Sequence, residues 1–374
     1  MKNSKYNYFN ILRFMGAMCI AILLHWNDHM LPAINAENNL ESINILFFYI
    51  SKNSYVFVEM FYIISGFLFA KNYMNKINNK NGLTLKEFLS KRYIRIFPLV
   101  IISSIIMYIL HFLYYLKLNT FFTCGTLKIN RLAFDILFSG ISTFGASINP
   151  LNGPLWYIGP LMICYIIAYY LTIAYKKNNN YYIFFLPIII GLFIITNEIN
   201  FFIFNINVAR GLLSFFIGVL LGNKILEITL NNLKKKPKYI LKTILLIILL
   251  GFMYIIISGK NEQFIGSFND TIITYSIIIF PTLILFLYDI KWLDRIGKTK
   301  LFKFLGNISF SIYIWNFPII ITLTYLIKVG ILKYTHAWKL MLISTIIHLI
   351  VGTLSYYLIE QQLSKTLKNL GGKI

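Results

Sequence analysis

The sequence predicts an all-α integral membrane protein, a bundle of about ten transmembrane helices with both termini in the cytoplasm. Composition is the first observation behind this. Hydrophobic residues fill 58% of the 374 positions and charged residues only 13%, where a soluble domain carries roughly 25% charged. Apolar runs long enough to cross a bilayer recur from end to end. Basic residues between these runs alternate in density, which sets their sides. No long hydrophilic stretch interrupts the pattern. Residues 1–374 therefore read as a single transmembrane domain, and no fused extracytoplasmic domain is expected.

Apolar runs and polar breaks give spans at 8–26, 54–70, 97–116, 153–175, 181–196, 202–222, 240–258, 271–288, 304–327 and 339–359. Each is long enough, or nearly so, for a bilayer whose core needs about 20 helical residues. The segment 130–146 is apolar but short, and it contains Asp135 and glycines. It is expected to be a re-entrant or interfacial piece on the outer side. The Asn- and Lys-rich tracts at 71–82, 176–180 and 231–238 read as solvated loops.

Lys and Arg sort the connections. One alternating set of loops and tails holds 25 of them, including seven from Lys71 to Arg95 and six from Lys224 to Lys242; the other set holds eight. The dense set belongs in the cytoplasm. This placement also accounts for the formal charge of +22. The lysines sit at membrane edges, against anionic lipid headgroups, and no nucleic-acid partner is expected. The first span carries Arg13, Asp28 and two histidines and has no small-residue cleavage site, so it is expected to be an uncleaved helix and not a signal peptide. Cys19 and Cys164 fall in spans and Cys124 in an outer loop, so no internal disulfide is expected.

Ionisable residues inside a span are costly and usually face a cavity or a partner. Arg13 lies near the cytoplasmic entrance of the first span, and His25, Asp28 and His29 lie at its outer end. On an α-helix those three share a face. The spacing permits a metal pair, but zinc sites usually need further protein ligands and none is evident nearby, so no metal is expected. It equally permits acid–base catalysis, in which an imidazole takes a proton from a hydroxyl. A third reading is a polar end to the helix. That reading suits Asp28 and His29, whereas His25 follows the apolar run Ala21-Ile22-Leu23-Leu24 and is the candidate base.

Glu59 sits in the outer half of the second span. It could orient the imidazole, as the acid does in a hydrolase triad, or pair with Arg210 of the sixth span or a backbone group to hold the bundle in register. The spacing leaves both open. Arg92 and Arg95 stand one turn apart at the cytoplasmic mouth of the third span, a geometry suited to phosphate. Positive-inside anchoring would also explain them, but not Arg13 and Arg210. Together the four arginines suggest a positively lined passage for an anion entering from the cytoplasm.

Several segments resemble the bacterial membrane-bound acyltransferase family 3. FNILRFMGAMCIAILLH carries Arg13 and His25; VEMFYIISGFLF carries Glu59, Ser65, Gly66 and Phe67; KRYIRIFP carries Arg92, Arg95 and Pro98. GPLWYIGPL, VARGLLSFFIGVLLG and LGNISFSIYIWNFPI follow in the family's order. The chain departs from the pattern at Asn316, where many relatives have His. It departs again at Gly159-Pro160-Leu161, where many carry an acid, and at Glu360-Gln361-Gln362, which lacks the usual Pro.

The resemblance implies transfer of an acetyl or other short acyl group from cytoplasmic acetyl-CoA to a hydroxyl of a cell-surface or lipid-linked glycan, at the bacterial cytoplasmic membrane. It implies Arg92 and Arg95 on the nucleotide phosphates, Arg13 or Arg210 lining the way, His25 as base and Glu59 orienting it. His25 lies 12 residues beyond Arg13, about 18 Å of helix rise, so the acyl group must travel much of the membrane's thickness. The alternative is a transporter or flippase for a lipid-linked saccharide. The paired broken helices of such transporters are not visible in the sequence.

Overall fold

Apolar runs in lipid must satisfy their own backbone hydrogen bonds, and helices do so. The computed structural model describes residues 6–30, 50–79, 82–122, 129–138, 150–333 and 336–363, with positions 127, 144 and 145 between them. Among these residues the chain is helical, and the one β pairing is an isolated bridge between Phe201 and Phe204.

Among the described residues, eight helices are long and apolar enough to cross a membrane. In chain order, α1 is Tyr8–Met30, α2 Ile50–Asn78 and α3 Leu85–Leu118. A short helix, α4, covers Ile129–Phe138. Then come α5 (Gly153–Asn178), α6 (Tyr181–Thr196), α7 (Ile206–Leu221), α8 (Lys235–Ile257), α9 (Phe268–Leu287), α10 (Lys300–Lys328) and α11 (Trp338–Gln361). Every expected span falls on a helix. Two of them, α6 and α7, are shorter than the rest. Sixteen residues rise about 24 Å, less than the roughly 30 Å hydrocarbon core.

Three polar tracts expected as loops are largely helical. α2 continues to Asn78, and α5 to Asn178, where Asn179 at φ 48° ends it. Asn tolerates the left-handed region better than most residues. Of 231–238, only a short break at 233–234 separates a helix at Lys224–Asn232 from α8. Pro237 lies in the first turn of α8, where its missing N–H costs nothing. The third span also begins 12 residues before its expected start at 97. Thr84 and Glu87 cap it reciprocally, with Thr84 N to Glu87 Oε2 at 2.9 Å and Glu87 N to Thr84 Oγ1 at 3.3 Å. This capping box starts a helix whose first turns are too polar for hydropathy to register.

Within the expected 130–146 piece, α4 has ten residues, about 15 Å, too short to span. Asp135 is buried there and accepts from the Leu151 N–H at 2.6 Å. Most of 139–149 and Cys124 lie outside the described residues.

Helices α2 and α10 form the centre, each 72% buried over its apolar window, while α8 is only 6% buried and presents its surface outward. Glycine brings α2 and α7 together backbone to backbone. A Cβ on Gly66 would lie 1.9 Å from the Phe215 carbonyl oxygen, and one on Gly218 would lie 2.0 Å from that of Ile63. Small residues let membrane helices approach this closely, where dispersion does the packing. Glycine also seats α10 against its other neighbours, Gly306 on the Asn10 backbone of α1 and Gly352 of α11 on the Ile312 side chain.

Candidate functional site

Each central helix turns a different stripe toward a different partner, and this separates the polar residues into three groups. On α2, Phe61, Ile64, Ser65 and Leu68 share one face, by i, i+3, i+4, i+7 spacing. On α10, Gly306, Ser309, Phe310 and Tyr313 do the same. These two stripes, with Arg92, Arg95 and Ile96 of α3 and Tyr157, Leu161 and Tyr165 of α5, line one cavity. It holds about 880 Å³ of free space, part of it open to the outside.

Arg13, Arg92 and Arg95 all reach that cavity. Arg13 is held by its own helix: Nε donates to the Phe9 carbonyl at 3.3 Å and a terminal nitrogen to Asn10 Oδ1 at 2.7 Å. Asn10 in turn donates to the Gly297 carbonyl at 3.0 Å, which fixes the amide. The Arg92 guanidinium is caged by aromatic rings, 4.5 Å from the Tyr73 centroid, 4.9 Å from Tyr165 and 5.6 Å from Phe88. Such faces hold a cation without neutralising it. Arg95 is exposed. Glu360, which accepts from the Ser311 hydroxyl, interacts electrostatically with Arg95. Among the described residues lining the cavity there is no Asp or Glu. Three guanidinium groups around one apolar-walled space suit an anion that also carries an apolar portion.

Arg210 is placed elsewhere. Its Nε donates to Glu59 Oε1 at 2.5 Å with both side chains buried, and its guanidinium lies 4.5 Å from the Trp156 ring centroid. Glu59 is two residues from Phe61, about 200° around the helix, so it leaves the cavity stripe and faces α7. Of the two readings of Glu59, the structure has the pairing with Arg210. Arg210 is not among the residues lining the cavity, because Glu59 holds it on the far side of α2.

His25 belongs to the third group. α1 widens into π turns over Cys19–Leu24 and Trp26–Met30, on either side of it. Such turns are frequent at functional sites. They also alter the α-helical spacing from which a shared face was argued, yet the His25 and His29 rings remain close, with centroids 5.6 Å apart. Phe317 packs edge-on against both, at 4.8 and 5.0 Å. Among the described residues, no group of three or more His, Cys, Asp and Glu could hold a metal ion. Asp28 is exposed.

The hydrogen-bond partner of His25 is Asn316, through Nδ1. Asn316 also meets Nε2 of His348 at 3.2 Å. His348 lies within the apolar run STIIHLIV of α11. An ionisable group inside a span was the signal available for it. Asn316 and Phe317 continue the α10 stripe that lines the cavity, one turn beyond Tyr313. Tyr313, Tyr157 and Phe61 pack on one another with centroids 6.0 to 6.4 Å apart. These three rings are part of the cavity wall, and on α10 Tyr313 is one turn from Asn316 and Phe317.

Neither a curated protein nor a solved structure matches the chain. A family model does. Residues 6–359 match the acyltransferase domain of the acyltransferase 3 family, nearly the whole chain, and the protein belongs to this family of membrane acyltransferases.

Proposed function

We propose that this protein O-acylates a glycan, moving an acetyl or other short acyl group from cytoplasmic acetyl-CoA to a hydroxyl of a cell-surface or lipid-linked saccharide. The convergence of Arg13, Arg92 and Arg95 on one cavity carries the reading. Acyl-CoA is a substrate with several phosphates on one end and a thioester on a long arm. Guanidinium groups bind phosphate through paired N–H donors. The apolar stripes of α2 and α10 beyond them suit the arm.

In this scheme the arm lies along the α10 stripe toward Asn316 and Phe317, and the acceptor hydroxyl meets the acyl group beside His25. His25 takes the hydroxyl proton as the oxygen attacks the thioester carbonyl. The C–O bond forms, the C–S bond breaks, and the departing CoA thiolate takes the proton back from the imidazolium. The base is expected to contribute on the order of 10²–10⁴-fold. Glu59 acts through Arg210, holding α2 on α7, and the orienting contact on His25 comes from Asn316.

All ten apolar helices cross or enter the bilayer in this reading, with α6 and α7 spanning a locally thinned region, and both termini face the cytoplasm of a bacterial cell. Mass spectrometry of surface glycans from cells with and without the gene tests the activity. One acyl group per modified sugar should be lost without the gene. An unchanged glycan profile, with lipid-linked saccharide accumulating on one leaflet, would instead fit a flippase.

A further inference from the structure

Three polar residues run in line through the interior behind His25. Asn316, Ser344 and His348 are all buried from solvent. His348 Nδ1 lies 2.7 Å from the Ser344 backbone carbonyl oxygen and 3.3 Å from the Ser344 hydroxyl. His348 Nε2 lies 3.2 Å from the Asn316 amide, whose other end meets His25 Nδ1.

The carbonyl at one end gives the line a direction. A carbonyl only accepts, so His348 Nδ1 must carry a proton and donate it. The Nε2 of a neutral His348 is then an acceptor and requires a donor from Asn316. The amide stands with Oδ1 toward His348 and Nδ2 toward His25. In that orientation two acceptors face each other, unless His348 is a buried cation, which is costly. The oxygen and nitrogen of an amide are distinguished only by their hydrogen bonds, and half a turn about its axis removes the conflict. Nδ2 then donates to His348 and Oδ1 faces His25. Oδ1 can only accept, so His25 Nδ1 carries the proton and Nε2 keeps its lone pair.

We propose that Ser344, His348 and Asn316 form a directional hydrogen-bond relay that fixes the Nδ1–H tautomer of His25 and leaves Nε2 as the base. His348 and Asn316 are positioning residues, acting through His25 from two neighbouring helices. The proposal rests on the reading of His25 as the general base. It assigns the orienting role to a neutral amide backed by a second imidazole, where a hydrolase triad uses a carboxylate.

The test uses the full chain in lipid vesicles with acetyl-CoA and a saccharide acceptor. His348→Leu removes the acceptor that orients the amide, so kcat should fall at least tenfold while both KM values stay within about twofold. His348→Gln offers a carbonyl to the same N–H and should keep kcat within about threefold of the native chain. Nitrogen NMR of ¹⁵N-histidine-labelled protein, with His25 assigned by its loss in His25→Gln, gives a readout independent of activity. The native chain and His348→Gln should show His25 protonated at Nδ1 and bare at Nε2, and His348→Leu should show the other tautomer or a mixture. A native His25 protonated at Nε2, or native kcat in His348→Leu, would overturn the relay. Retained transfer in His25→Ala would instead remove the base reading, while the NMR result would still report on the relay.

Discussion

The Arg210 guanidinium donates to the Glu59 carboxylate at 2.5 Å inside the bundle, and both side chains are buried. Such a pair is worth little net, yet breaking it strands a charge at a cost of about 3–5 kcal/mol. Glu59→Gln or Arg210→Gln should therefore reduce the thermal stability of the purified protein sharply. Replacing both by apolar residues of similar volume, Glu59→Leu with Arg210→Met, should recover most of it. A Glu59→Gln protein as stable as the native chain, read by its unfolding transition in detergent, would contradict this.

Glycine contacts on α7 give a second expectation. Gly218→Leu places a side chain where even a Cβ would lie 2.0 Å from the Ile63 carbonyl oxygen, so α2 and α7 must separate. Overpacking typically costs about 1–3 kcal/mol, and a backbone clash more. Gly251→Ala on α8 meets nothing within 4 Å. It should be neutral or stabilising by up to about 1 kcal/mol through helix propensity. Yield of monodisperse protein for the two variants checks the contrast.

Arg92 and Arg95 lie one turn apart on the cavity. Replacing both with Gln should raise the KM for acetyl-CoA at least tenfold, roughly the loss of a charge-assisted contact of 1.5–3 kcal/mol. The protein should remain in the membrane. Lys at both positions should restore only part of the affinity, because it lacks the planar fork and Arg92 also stacks on Tyr73 and Tyr165. A native KM in the double Gln variant would reduce the pair to membrane anchors.

Sidedness is tested by reporters. Fused after Ile374 or inserted at 233–234, a reporter should read cytoplasmic, and one near Asn39 should read outside. Reversed signals would turn the donor and acceptor faces around.

The helices were legible because lipid makes the rule simple: apolar runs become helices, and basic residues mark their ends. The start of α3 was not, since Thr84 and Glu87 begin it by a cap and not by hydropathy. The start of α7 was hidden too, as apolar residues already run through Phe201, Phe202 and Phe204 before the helix begins at Ile206. At the site, helical spacing was enough to put Arg92 and Arg95 on one face. It did not select Arg210 as the partner of Glu59, 151 positions away, or Asn316 as the partner of His25, 291 positions away. His348 stood out as an ionisable residue inside an apolar span, but nothing in the sequence placed it against Asn316. Such pairings depend on which stripe of α2, α10 or α11 faces inward, and that is decided by packing.

In the proposed mechanism His25 is the base and its neighbour His29 is not. Labelled acetyl-CoA is supplied to the cytoplasmic face of membrane vesicles carrying the native chain, His25→Ala or His29→Ala, with and without a chelator, and labelled acceptor is counted. His25→Ala should lose about 10²–10⁴-fold, His29→Ala should keep most of the activity, and the chelator should have no effect. Equal activity in the two variants, or loss on chelation, would contradict it.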